Sequence, residues 1–374
     1  MLAREELMAM LTGEYGVDLK EEGFMAPASP LIFFWIMFSG LALCLLAVEF
    51  SPAIPLFGLV IFGGSLFLFF DYRPSPLLWL LSQRMTANLV AEKMPPDSRE
   101  NPYRPLFIIH ANLDSPPVMM HFQHQLILYF PYFIWGLVGL LGMIFLLSVL
   151  GFAGLFIPKG VIFTAAVILL LIPLYLSVDY WMQGYSKGMN DNLSGVAAAT
   201  EVAVRLFRDM PDNLDIRLLL TSGAYMGGAG MQHYLSMHQE ELEKRPVSLI
   251  SLHGIGTGDL SLVRSASPLL PQNFHGSLIR KAYNLSKDGQ YGPVAVRDFK
   301  AGGLESVIPM RAGVDSLTIV GLSATDPNQS GFYYIPHMQQ VTDQLNTIDT
   351  QQIENCVTLT EALIRLHGKQ SGAK

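Results

Sequence analysis

Two patterns of apolar residues divide this chain. In the first, apolar positions run almost unbroken through 31–48, 53–70, 127–157 and 160–178. Each run approaches or exceeds the ~20 residues a helix needs to cross a hydrocarbon core. Glu49-Phe50-Ser51-Pro52 and Pro158-Lys159 separate the members of each pair and are long enough only for a turn. The pattern predicts four transmembrane α-helices in two hairpins. None of the runs carries an acid or base in its interior, which speaks against an ion or proton pathway. Gly136, Gly139 and Gly142 lie close along the third run and predict close helix packing there.

In the second pattern, short strand-like and helix-like segments alternate. Strands are expected at 88–91, 106–109, 216–220, 247–252, 260–263 and 317–320. Helices are expected at 191–208, 229–242, 277–285 and 349–367, with an amphipathic one at 77–83 beside the membrane. Residues 1–30 read as a short amphipathic helix, solvated or on the membrane surface, then a Pro-containing linker. The resulting division is 1–30, a hairpin at 31–72, a first soluble part at 73–124, a second hairpin at 125–182 and the remaining soluble part at 183–374. Alternating strands and helices predict an α/β fold, a mixed, mostly parallel sheet flanked by helices. Ligands then sit at the C-terminal ends of the strands.

Composition fits this division. Of 374 residues 51% are hydrophobic and 15% charged, against roughly a quarter charged in soluble proteins. A net charge of −7 argues against nucleic acid as a partner. The two cysteines, Cys44 and Cys356, make neither a disulfide framework nor a thiolate metal site. The polar, acidic start shows no cleavable signal. Arg73, Arg84, Lys93, Arg99 and Arg104 follow the second run, and Lys187, Arg205 and Arg208 the fourth, whereas the opposite ends hold Lys159 and Glu49. By the positive-inside rule, both termini and the soluble mass are expected on the cytoplasmic side of a plasma or inner membrane.

Candidate chemistry centres on Met189-Asn190-Asp191-Asn192-Leu193-Ser194-Gly195. Asp191 stands where a loop meets a helix, either as an N-cap or as a carboxylate for a metal-bridging role near the helix dipole. Other signals are weaker. Gly254-Ile255-Gly256-Thr257-Gly258 lacks the spacing and acidic partner of a dinucleotide loop. His121 and His124 have a ligand-like spacing that also suits interfacial histidines. Gly227-Gly228-Ala229-Gly230 reads as a tight turn at a helix start. His110 stands at a strand end, and His233, His238 and His275 show no partner pattern.

Taken in order, the soluble motifs resemble the co-catalytic di-zinc exopeptidases of the aminopeptidase Y, glutamate carboxypeptidase and transferrin-receptor type. The segments that carry the resemblance are TANLVAE with PLFIIHANLDSPP, then MNDNLSGVAAATEVAVRL, LLLTSGAYMGGAGMQHYL, VSLISLHGIGTGDL, LESVIPMRAGVDSLTIVG and IPHMQQVTDQLNTID. The match takes in the soluble part and leaves out the four apolar runs. In that family two zinc ions share a carboxylate and activate a water, with a Glu as general base.

The resemblance implies a depleted site. The first metal His falls on Asn112, and the Asp that supports it is kept as Asp114. The bridging Asp is kept as Asp191. The Glu-Glu pair falls on Ala224 and Tyr225, the next metal Asp on His253, and the last His on His337 in a loop two residues longer. Loss of the base alone removes about 10²–10⁴ in rate. The expectation is therefore a membrane-anchored pseudopeptidase with no catalytic residue and no cofactor, which binds a membrane protein or a peptide. The alternative is a metallo-aminopeptidase with a single zinc on Asp191, His253 and His337, its base drawn from Tyr225 or Asp114. A channel or transporter subunit is the third reading. Two spans separate the motifs at 112 and 191, so the site-bearing end of the sheet is expected to face the bilayer.

Overall fold

A strand buried on both faces reads as a near-continuous apolar run, and two strands here come close to that, with Leu106 to Ile109 and Leu218 to Leu220 as their apolar stretches. Leu106–Asn112 and Asp215–Thr221 are buried at all seven positions. The computed structural model describes residues 2–94, 103–123, 126–211, 213–266, 270–274, 276–324 and 331–371. His124 and His275 lie outside them, as does most of the polar turn at 95–105.

The sheet has ten strands: β1 Lys20–Pro27, β2 Gln83–Lys93, β3 Leu106–Asn112, β4 Asp215–Thr221, β5 Val247–His253, β6 Asp259–Ala266, β7 Gln272–Asn273, β8 Val294–Phe299, β9 Asp315–Ala324 and β10 Tyr333–Tyr334. Their order is β1-β2-β4-β3-β5-β9-β6-β7, with β8 on β6 and β10 on β9. β4, β3, β5 and β9 run parallel, and the pairs toward both edges are antiparallel except β6 with β8. Side chains alternate across β3. Phe107, Ile109 and Ala111 meet helix Gly195–Arg208 and, behind it, Thr350–Ser371. Leu106 and Ile108 meet Met231 and Tyr234 of helix Ala229–Met237 on the other face.

Several local expectations change. Residues 20–27, expected as linker, form β1, and helix Leu2–Tyr15 sends Leu11 into the main core. The helix expected at 77–83 is one turn, Pro76–Trp79, because β2 begins at Gln83. The helix expected at 229–242 breaks at His238 into Ala229–Met237 and Gln239–Lys244.

Four helices are long and apolar enough to cross a membrane: Pro30–Glu49, Ala53–Phe70, Ile127–Phe152 and Lys159–Gln183. The last is longer than expected and holds a buried carboxylate, Asp179, near its end. Asp179 accepts from the Met120 amide at 2.7 Å and from Gln183 at 3.0 Å. The close approach lies in the first hairpin, not on the third helix. A Cβ at Gly40 would meet the Phe62 ring at 2.5 Å, and one at Gly58 would meet Cys44 at 2.6 Å, whereas Gly136, Gly139 and Gly142 have no described neighbour within 4 Å.

At the far end of β4 an ionic cluster ties the sheet edge down. His238 contacts Glu22 of β1 at 2.8 Å and Glu241 at 3.3 Å. Hydrogen bonds to Glu22 and Glu241 raise its pKa from 6.5 to about 9 against the opposing effect of burial. The sign follows from linkage. A raised folded-state pKa stabilises the fold fully below 6.5, and that contribution is lost as pH climbs through about 9. Unfolding followed between these pH values is expected to show falling stability in the native chain and a flatter profile in His238→Gln. Identical profiles would show that the contact contributes nothing.

Candidate functional site

The parallel strands end together on the side from which the membrane helices leave. Asn112 is the last residue of β3 and His253 the last of β5, and the loop after β4 carries Ala224 and Tyr225. Asp191 arrives on an irregular segment, Met189–Ser194, before the regular helix begins at Gly195. The helix expected from 191 therefore starts four residues later. Asp191 and Asn192 have φ/ψ of −112°/83° and −138°/32°, and the peptide between them is cis.

Side-chain bonds hold this segment. Asp343, fully buried, accepts from the Asn190 amide at 2.6 Å and the Asp191 amide at 3.1 Å. Burial raises the Asp343 pKa, and those two amides oppose the rise. Asn192 donates to Asn112 Oδ1 at 2.7 Å and accepts from the Gly254 amide at 2.8 Å. Asn190 accepts from the Gly256 amide at 2.8 Å, and Ser194 Oγ from that of Ile255 at 3.1 Å. The amides of Gly254, Ile255 and Gly256 are thus committed to site side chains, which removes three of the donors a dinucleotide would use. Room is tight as well. A Cβ at Gly195 would meet Asn192 Oδ1 at 2.2 Å and the Leu252 carbonyl at 2.4 Å.

At the centre, the Asp191 carboxylate is fully buried and held by two protein groups. The Tyr225 hydroxyl donates to its oxygens at 3.1 and 3.0 Å, and His253 Nε2 lies 3.1 Å from Oδ1. On the other side of the ring, His253 Nδ1 is 3.0 Å from Asn112 Oδ1. Both ring nitrogens face accepting oxygens. Burial, then the charge and hydrogen bond of Asp191, drive the Tyr225 pKa well above its ordinary value, so the phenol stays a donor. Asn112 Nδ2 is buried without a partner.

Asp114 turns to the loop after β4, where the Ala224 amide donates to it at 2.5 Å. Burial raises its pKa to about 6, with Glu305 adding to the rise and the amides at 223–225 opposing it. Glu305 is a site residue that sequence reasoning missed. It is 6% exposed and accepts from Thr221 at 2.9 Å, and its Oε1 has no partner. His110 sits behind it, between Ser251 and Thr221 at 2.9 Å each. His337 lies in the loop after β10. Its φ is +62°, and Nδ1 lies 2.9 Å from Thr342.

The structure therefore joins Asn112, Asp191, Tyr225 and His253 directly and places Asp114 with Ala224. A zinc site takes at least three imidazole, carboxylate or thiolate ligands. Among the described residues no three His, Cys, Asp or Glu side chains are so grouped. Asp191 offers one carboxylate and His253 one imidazole, while Tyr225 and Asn112 are a protonated phenol and an amide. These residues do not fit a zinc pair. The other histidines are accounted for by packing: His121 stacks on Phe130 and Phe133, and His233 on Phe24.

Comparison with solved structures places the fold. A glutaminyl cyclase from Bacteroides thetaiotaomicron, determined with N-acetylhistamine bound, matches with a TM-score of 0.55 at 12% identity over 97% of this chain and 89% of that one. A zinc aminopeptidase from Bacillus subtilis matches with a TM-score of 0.47 at 15% identity over 76% of this chain and 50% of that one. The LapA aminopeptidase of Legionella pneumophila gives 0.46 at 12% identity over 75% and 56%. The chain thus spans about half the length of these aminopeptidases. No family model and no curated protein sequence matches it. The chain forms a mixed α/β sheet with flanking helices, similar in fold to that glutaminyl cyclase. Four candidate membrane spans accompany it.

Proposed function

We propose that this chain is a membrane-anchored pseudopeptidase, an exopeptidase-like domain that binds rather than hydrolyses. The observation that carries the reading is the Tyr225 hydroxyl on both oxygens of Asp191. Tyr225 stands where the resemblance places half of the Glu-Glu pair. A phenol there can neither ligate a metal as a carboxylate would nor take a proton from water as a general base. His253, where a metal-binding Asp is expected, lies against the same carboxylate. The charge that a zinc pair would balance is met by protein hydrogen bonds.

On this reading the domain serves as a scaffold or accessory subunit for a membrane protein or a peptide end. Its spans fix it to the bilayer, and the Lys and Arg distribution puts the soluble part on the cytoplasmic side of a plasma or inner membrane. The test joins elemental analysis of the purified full-length protein to peptide turnover. Peptides with free N-termini, including N-terminal glutamine, are assayed with and without chelator. The expected result is no stoichiometric zinc and no chelator-sensitive turnover. One equivalent of zinc, with turnover abolished in Asp191→Ala, would replace this reading with the single-metal enzyme.

A further inference from the structure

The geometry points to a latch: the first membrane hairpin closes the site with its own side chain, Tyr72, so that access to Asp191 is controlled from the bilayer. The proposal rests on the reading of this cleft as a binding site and concerns what opens it.

Tyr72 is the second residue after the span Ala53–Phe70. Its φ is +55°, a left-handed conformation that is unfavourable for a non-glycine residue and persists only where surroundings impose it. Those surroundings are specific. The ring is wedged between two glycines of the soluble domain. A Cβ at Gly303 would lie 2.0 Å from Tyr72 Cε2, and one at Gly228 would lie 2.9 Å from Cδ1. The three atoms nearest a Cβ at Gly303 all belong to the Tyr72 ring, so the absence of a side chain at 303 serves this contact.

The two glycines frame the site. Gly228 closes the loop that holds Ala224 and Tyr225, and Gly303 lies two residues before Glu305. The Tyr72 hydroxyl is within electrostatic reach of Glu305, Asp191 and Asp114.

The residue before Tyr72 acts as the catch. Asp71 is 6% exposed. Its Oδ1 lies 2.7 Å from Arg311 Nη2 and its Oδ2 2.6 Å from Arg73 Nε, while its carbonyl accepts from Arg311 Nη1. Arg311 ends the short helix Val307–Arg311, which follows Glu305. Phe69, still inside the span, reaches Gly227 of the same loop. A shift of the hairpin therefore pulls on Asp71, the Tyr72 ring and the 223–228 loop together. Opening by such a local motion takes less free energy than global unfolding.

The experiment measures opening directly. In the full-length protein in nanodiscs, Cys44 is replaced by Ala and a reporter is added as Ala224→Cys, at a position 6% exposed. Fully buried Cys356 in the C-terminal helix serves as an internal monitor of unfolding. A water-soluble thiol reagent is then added. Tyr72→Ala and Arg311→Ala are each expected to speed labelling at 224 by about tenfold or more, as for loss of a local closing contact. Gly303→Ala, which displaces the ring, is expected to act the same way, and Cys356 stays slow in all three. Tyr72→Phe keeps the ring and stays closed. An unchanged rate at 224, or equal acceleration at 224 and 356, would overturn the latch. Labelling needs neither zinc nor a ligand, so its outcome is independent of whether the site hydrolyses peptides.

Discussion

Arg217→Ala is expected to lower the unfolding free energy of the soluble domain by about 3 kcal/mol, because removing one partner of a buried ion pair leaves the other charge uncompensated. Arg217 lies in the middle of β4 and is 3% exposed. Its guanidinium donates to Glu92 at 2.8 Å, to both oxygens of Glu241 at 3.1 and 2.8 Å, and to the Tyr234 hydroxyl at 2.8 Å. Glu92 and Glu241 are partly exposed, so water recovers some of the loss, which places the effect at the lower end for such deletions. Arg217→Met removes the charge but keeps packing volume and is expected to cost less. Denaturant unfolding in detergent, read from a probe on the soluble domain, distinguishes these cases. A midpoint unchanged in Arg217→Ala would mean that the cluster contributes nothing net.

The second large effect belongs to the site. Asp343→Ala strips the acceptor from the Asn190 and Asp191 amides, both in fully buried residues. A buried donor left without a partner costs about 1–3 kcal/mol. For two donors the expected destabilisation is roughly 2–6 kcal/mol, toward the lower end where water reaches the amides. The site is expected to suffer before the fold does, since these amides fix where Asp191 points. Hydrogen exchange at residues 189–194 should quicken more than in β3 or β5. Asp343→Asn keeps one accepting oxygen and should fall between the two. Uniform acceleration across the sheet would instead make Asp343 a general stability residue.

Much of this architecture was legible in the chain because it rests on local, repeated signals. The apolar runs announce the spans, and the unbroken Leu106–Ile109 run announces a strand buried on both faces. Asn112, Asp191, Tyr225 and His253 could be brought together because motif order places them at neighbouring strand ends. β1 was not legible. Its first residues, Lys20-Glu21-Glu22-Gly23, are polar because an edge strand exposes them, and its partner in register lies some sixty residues on. Glu305, Asp343 and Tyr72 were missed for another reason. Each is a single side chain whose role depends on contacts made far along the chain, and neither period nor spacing marks it. The start of the helix expected at 191–208 departs from helical geometry for a similar reason: bonds from Asp343, Asn112 and the 254–256 loop bend Asp191 and Asn192 out of the helical path.

The pairing of β1 with β2 also constrains how the molecule can be made. Lys20 to Pro27 precede the first hairpin and align with Val90 to Gln83 beyond it, while β3 leaves for the second hairpin before its neighbours β4 and β5 have emerged. A nascent chain leaving the ribosome thus cannot finish its soluble domain in one piece. β1 meets its partner only after the first hairpin has been made, and β3 meets both of its partners only after the second.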